Sequence, residues 1–143
     1  MSIPELLPSG YLPPGVHVST EDEVRLRFGS STLRRQYLWS RVARWLELGR
    51  KVGASRLLID GSFVTSKDSP ADVDAVILLN DKYHWDCFKG TADAIELYGM
   101  LKTKEPEEIF AVEDSEDWAS WVDFFSRIRH NQQSTKGLVE IPL

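Results

Sequence analysis

The sequence predicts one small α/β domain, and three observations predict it. Segments with helical apolar spacing alternate with short, near-continuous apolar runs of strand length. The 143 residues match the usual size of one domain and can bury one core without staples. Cys87 is the only cysteine, so the chain can form no internal disulfide, which fits a reducing compartment.

Residues 1–19 carry Pro4, Pro8, Pro13 and Pro14 and read as an irregular arm ahead of a folded domain at 20–143. Thr20-x-x-Glu23 has capping-box form and opens a short helix that should stop at Gly29. Ser30, Ser31 and Thr32 offer the next N-cap, for a helix running to about Lys51 and ending near Gly53. On it Leu38, Val42, Trp45 and Leu46 share one face. Arg34, Arg41, Arg44 and Lys51 fall on a neighbouring arc, which reads as a solvated flank, with a phosphate or nucleic-acid role as the alternative.

Residues 56–60 read as a short buried strand and 61–71 as a loop. Residues 73–79 form a second apolar run, which suggests a strand buried on both faces. Spacing at Phe88, Ala92 and Ile95 predicts a helix over about 84–103, weakened by Gly90. Pro106 should break the chain before a third strand at 109–112. Trp118, Trp121, Val122, Phe125 and Ile128 sit at i, i+3, i+4, i+7 and i+10, the clearest amphipathic helix, and this aromatic stripe reads as core. Residues 137–143 give a last short strand.

No stretch approaches the roughly 20 apolar residues that a spanning helix needs. The opening MSIPELLPSGYLPPG has no basic n-region and no continuous apolar run, so it does not read as a secretory signal, and the expected location is cytoplasmic. Residues 1–60 hold nine Lys/Arg against six Asp/Glu, whereas 61–143 hold eight against sixteen. The acidic part could attract a divalent metal and the basic part phosphate, but by itself the split favours merely solvated surfaces.

The chemistry concentrates in Asp60-Gly-Ser-Phe-Val-Thr-Ser-Lys-Asp-Ser-Pro-Ala-Asp72-Val-Asp74. Gly61 permits a tight turn and close approach to a ligand. Ser62 adds a hydroxyl and an N–H, and a helical turn starting there would offer free N–H groups to a phosphate. Residues i and i+2 of a strand share a face, so Asp72 and Asp74 should project side by side. Two such carboxylates repel, and a divalent ion between them removes the conflict. All-oxygen ligands suit Mg²⁺ or Mn²⁺ rather than zinc. Asp74 stands against a plain polar hairpin, because an acid in an apolar strand is costly to bury without a partner. Lys67 lies in the loop within reach of a triphosphate, although an exposed loop lysine is more often idle, and Thr65 and Ser66 either donate to phosphate or satisfy the turn. Asp60 reads as a brace for the loop.

Gly61 and Ser62, followed by Asp72-x-Asp74, resemble the signature of the polymerase-β-type nucleotidyltransferase superfamily in minimal form. That resemblance implies a mixed sheet of three to five strands packed by helices, with a helix ahead of the Gly-Ser strand. It also implies a third carboxylate near the strand at 109–112: Glu108 first, with Glu107 and Glu113 as alternatives. Many members carry Asp there. Over nearly its whole length the chain also resembles an uncharacterised family of small bacterial nucleotidyltransferase-like proteins. The shared pieces are Leu12-Pro-Pro-Gly15, Arg27-Phe28, Asp60-Gly-Ser-Phe-Val-Thr65, Asp72-x-Asp74, Glu108-Ile-Phe110, Phe124-Phe125 and Lys136-Gly-Leu-Val-Glu-Ile141. Some members of that family accompany toxin–antitoxin systems.

The expected function is metal-dependent transfer of a nucleotide from a nucleoside triphosphate to a hydroxyl of a protein or RNA acceptor, in a toxin–antitoxin or defence context. Asp72, Asp74 and Glu108 are the expected catalytic and metal-binding residues, with Gly61, Ser62, Thr65 and Lys67 on the nucleotide. The alternative is a catalytically inactive module of the same fold that binds nucleotide or a protein partner. The net charge of -5 argues against non-specific DNA binding. His17, His84 and His130 have no ligand spacing, Arg127-x-Arg129-His130 reads as a basic helix end, and Cys87 reads as a small buried residue.

Overall fold

In the computed structural model, residues 3–104, 107–128 and 131–143 are described. Strand β1 (Gly15–Val18) leads into helices α1 (Glu21–Phe28) and α2 (Leu33–Lys51). Next come β2 (Arg56–Asp60), a single 3₁₀ turn (Ser62–Val64) and β3 (Asp74–Leu78). Helices α3 (Asp81–Lys89) and α4 (Ala92–Thr103) precede β4 (Ile109–Val112) and α5 (Ser115–Ser126). The chain closes with β5 (Arg127–Ile128), β6 (Asn131–Thr135) and β7 (Gly137–Pro142).

The fold is a mixed α/β domain with a five-stranded sheet in the order β1-β7-β2-β3-β4 and a small β5-β6 sheet. β1 runs parallel to β7, β7 antiparallel to β2, β2 antiparallel to β3, and β3 parallel to β4. Strand alternation sends Leu57, Ile59, Ala75 and Ile77 to one face, where they pack with Leu38, Val42, Trp45 and Leu46 of α2. Leu58, Val76 and Leu138 go to the other face, under Trp118 and Phe125 of α5. The aromatic stripe of α5 is therefore core, as its spacing predicts. Arg56 grips Glu140 with two hydrogen bonds of 2.9 and 2.7 Å, and its guanidinium lies 4.2 Å from the Trp118 ring centroid. This ties β2, β7 and α5 together.

The caps follow the sequence. Thr20 accepts from the Glu23 N–H, and Gly29 ends α1; Thr32 accepts from the Arg35 N–H at the start of α2. The Glu23 carboxylate accepts from Ser19 Oγ and the Ile3 N–H, so only half of the capping box forms.

Four elements depart from the expectations. Part of the proline-rich stretch is ordered into the sheet, because β1 finds a parallel partner in β7 and buries Leu12 just before it. The expected helix over about 84–103 is two helices, split at Gly90, whose φ of 78° ends α3 in the left-handed region. Ile128 leaves the α5 stripe and enters β5. The β5-β6 pair is an addition. The expected break at Pro106 and the residues Arg129 and His130 lie outside the described residues. No helix among the described residues is long and apolar enough to cross a membrane.

Candidate functional site

The acid end of the sheet is set by register. Asp60 ends β2 and stands directly opposite Asp74, the first residue of β3. Directly opposite residues of an antiparallel pair share a face, so both carboxylates project on the α5 side. α5 ends at Ser126, beside this edge, and leaves a cleft of about 900 Å³ between its last turn and the 61–72 loop. Asp60, Asp72 and Asp74 lie on the loop side of that cleft, with Phe124, Arg127 and Ile128 opposite.

The corner beside the acids is built around Gly61, whose φ of 94° and ψ of -179° lie in a region essentially reserved for glycine. A Cβ there would stand 2.8 Å from Asp72 Oδ1. We expect Gly61→Ala to destabilise the fold by about 1–3 kcal/mol and to displace Asp72. Urea unfolding and Mn²⁺ titration of the same variant check the two halves; unchanged stability contradicts the first.

Ser62 holds Asp72 in place. Its N–H and its hydroxyl donate to Asp72 Oδ1 at 3.0 and 3.1 Å, and its Oγ accepts from the Ala71 N–H at 3.0 Å. This corrects the expected role of the corner amides. A 3₁₀ turn does begin at Ser62, but its N–H groups are occupied. Phe63 N–H reaches the Asp72 carbonyl, Val64 N–H that of Gly61, Thr65 N–H that of Ser62, and Ser66 N–H that of Gly10. The Lys67 N–H goes to Thr65 Oγ1, and the Thr65 hydroxyl donates to the Ser62 carbonyl at 2.7 Å. Thr65 thus satisfies the turn while still lining the cleft. The Lys67 side chain is exposed at the cleft edge.

Two arginines that the sequence reading did not assign to the site hold this loop. Arg35, only 5 % exposed, donates to the carbonyls of Phe28 at 3.1 Å, Phe63 at 2.6 Å, Thr65 at 2.7 Å and Lys67 at 2.6 Å. Arg34 donates to the Pro70 carbonyl at 2.9 Å and to that of Ala71. A signal for Arg35 was present: it sits three before Leu38 and seven before Val42, on the apolar stripe of α2. A charged residue on a buried stripe needs buried partners.

Electrostatics sharpen the picture. Burial, then the charges of Asp72, Asp60, Glu108 and Glu107, push the Asp74 carboxyl up to about 7. Among the described residues no hydrogen-bond donor or basic group pairs with it. Burial also raises the pKa of Asp60, opposed by Lys136, whose Nζ stands 2.9 Å from its Oδ1. Glu108 precedes β4 and its carbonyl accepts from the Ala75 N–H at 3.1 Å, but its exposed side chain does not line the cleft. Glu107 is raised by burial and lowered by Arg34. Glu113, the other alternative, lies past the far end of β4 and pairs with His84.

No group of three or more His, Cys, Asp or Glu among the described residues forms a ready metal cage. Mg²⁺ does not require one: it keeps several waters and is commonly held by one or two carboxylates plus substrate phosphates. Asp72 and Asp74, acids beside a cleft that have no cationic partner among the described residues, fit that donor set. Asp72, Asp74, Gly61, Ser62, Thr65 and Lys67 are thus brought to one cleft, and Glu108 stands outside it. No curated protein and no solved structure matches the chain. A family model does match, across residues 4–142, and the chain belongs to that family of unknown function, DUF6932.

Proposed function

We propose that the protein is a metal-dependent nucleotidyltransferase with a nucleotidyltransferase-like fold. The observation that carries this reading is that Asp72 and Asp74 line one cleft together, beside a glycine corner and, among the described residues, without a cationic partner. Asp72 and Asp74 would hold Mg²⁺ or Mn²⁺, which when bound would polarise the α-phosphate of a nucleoside triphosphate. Ser62 orients Asp72 through two hydrogen bonds. The acceptor hydroxyl, on protein or RNA, attacks the α-phosphorus; the new P–O bond forms as the bond to the β-phosphate breaks, and pyrophosphate leaves. The hydroxyl proton passes to a carboxylate of the acid cluster. Glu108, just ahead of β4, adds negative charge near Asp74 from outside the cleft and is not counted among the residues that would hold the metal. The setting we propose is cytoplasmic, where triphosphates are abundant, and within a toxin–antitoxin or defence system.

The test is transfer of labelled nucleotide, with each triphosphate in turn, to RNA and to proteins encoded beside this chain. Transfer should require Mg²⁺ or Mn²⁺, stop on chelation, and disappear in Asp74→Ala. A well-folded protein that transfers no nucleotide to any of these acceptors counts against catalysis. The second reading, a binding module of the same fold, is favoured by the occupied corner amides and by Glu108 lying outside the cleft. Under it, metal and triphosphate raise the melting temperature together without turnover.

A further inference from the structure

We infer that the cleft holds a polyphosphate chain between two side-chain cations, Lys67 on the loop wall and Arg127 at the end of α5, rather than on the backbone amides of the glycine corner. The inference rests on the nucleotide reading of the cleft and assigns the grip on the phosphates within it.

Two independent observations carry it. First, all six consecutive N–H groups from Ser62 to Lys67 already donate to acceptors within the protein. Recruiting them would mean breaking the Ser62–Asp72 link and the turn itself. Second, the cleft has cations on both walls and they differ in availability. Lys136 is held at Asp60, in an ion pair whose side chains are only 17 and 8 % exposed, and it offsets an acid there. Arg127 is paired one helical turn back with Asp123 at 2.7 Å, and both partners are largely exposed. Such a surface pair contributes about 0–1 kcal/mol and is readily exchanged for a more highly charged partner. The Lys67 ammonium has no hydrogen bond or ion pair among the described residues.

The chemistry selects the ligand class. Three acids, Asp60, Asp72 and Asp74, repel a lone phosphate, whereas an extended polyphosphate can leave one end at the acids with a metal and rest its remaining charges on Lys67 and Arg127. The planar fork of Arg127 matches two phosphate oxygens, and Lys67 acts as a point charge.

The experiment is calorimetric titration of the full chain with inorganic tripolyphosphate in excess Mg²⁺. We expect Lys67→Gln and Arg127→Gln each to weaken binding about tenfold, the loss of one charge-assisted contact. Lys89→Gln removes the same charge from the exposed end of α3 and should change affinity less than twofold. Wild-type affinity in both cleft variants, an equal loss in Lys89→Gln, or no tripolyphosphate binding by the wild type would each overturn the inference. The two readings separate cleanly. Cation-dependent binding without nucleotidyl transfer keeps this inference and removes catalysis; transfer with unchanged tripolyphosphate affinity in the variants does the reverse.

Discussion

Asp74→Asn is expected to abolish nucleotidyl transfer and, in the same molecule, to stabilise the metal-free protein above neutral pH. The first effect follows from losing a metal ligand: several kcal/mol of charge stabilisation disappear, and each 1.36 kcal/mol is tenfold, so the rate falls by roughly 10³-fold or more. The second follows from the surroundings of the carboxylate. Burial and then the neighbouring charges of Asp72, Asp60, Glu108 and Glu107 raise its pKa to about 7, against an ordinary value of 3.8.

The direction of the pH dependence is fixed by linkage. Between those two values the folded chain holds a proton on Asp74 that the unfolded chain releases. The stability this group supplies is complete below about pH 4 and is lost as the pH rises through about 7. Asparagine has no such loss. The advantage of Asp74→Asn therefore grows from pH 4 to 7 and is flat above. It has an upper bound of about 4 kcal/mol, which solvent screening of a half-buried group reduces to about 2 kcal/mol. Urea unfolding in a chelating buffer at pH 4.5 and pH 8 reads it. Added Mg²⁺ should then raise the wild-type midpoint and leave the variant unmoved, because only a binder of the folded state stabilises. A variant no more stable than wild type at pH 8, or equally stabilised by Mg²⁺, removes the acid cluster as a cation site.

Local chemistry was legible in the sequence, and long-range pairing was not. Thr20 and Thr32 could be read as caps because a cap is decided within three residues. The Trp118 and Phe125 stripe could be read as core because helical periodicity is local. β1 was hidden: it is only four residues long and follows Pro13 and Pro14, and its partner strand begins at Gly137, at the opposite end of the chain. Asp72 lies ahead of β3 and is positioned by Ser62 rather than by strand alternation, and the Asp60–Asp74 opposition depends on the β2–β3 register. The free amides expected at Ser62 failed for a related reason. Asp72, ten residues on, folds back to accept from Ser62, which no local rule anticipates.

Arg35 has the largest structural effect expected of any single side chain. It donates to four carbonyls, three of them in the loop that carries Thr65 and Lys67, and it lies among apolar neighbours of α2. Burial lowers its pKa, but a guanidinium stays protonated, so the charge persists and the carbonyls compensate it. Arg35→Met removes the buried charge but leaves those acceptors without their donor. We expect a loss of about 3–5 kcal/mol, in the range reached when a buried hydrogen-bond network is broken. Arg35→Lys should recover less than half of it, because one ammonium cannot span carbonyls that a planar fork reaches from two nitrogens. The urea midpoint should fall without a change in slope, and the 61–72 loop should become the first site of limited proteolysis. The functional consequence follows through the loop: once residues 63–67 are released, the turn that presents Ser62 loosens, Asp72 loses its two donors, and Mn²⁺ affinity drops even where the fold survives. If Arg35→Met unfolds within 1 kcal/mol of wild type, the loop is held by other contacts, and the cleft owes its geometry to the β2–β3 register alone.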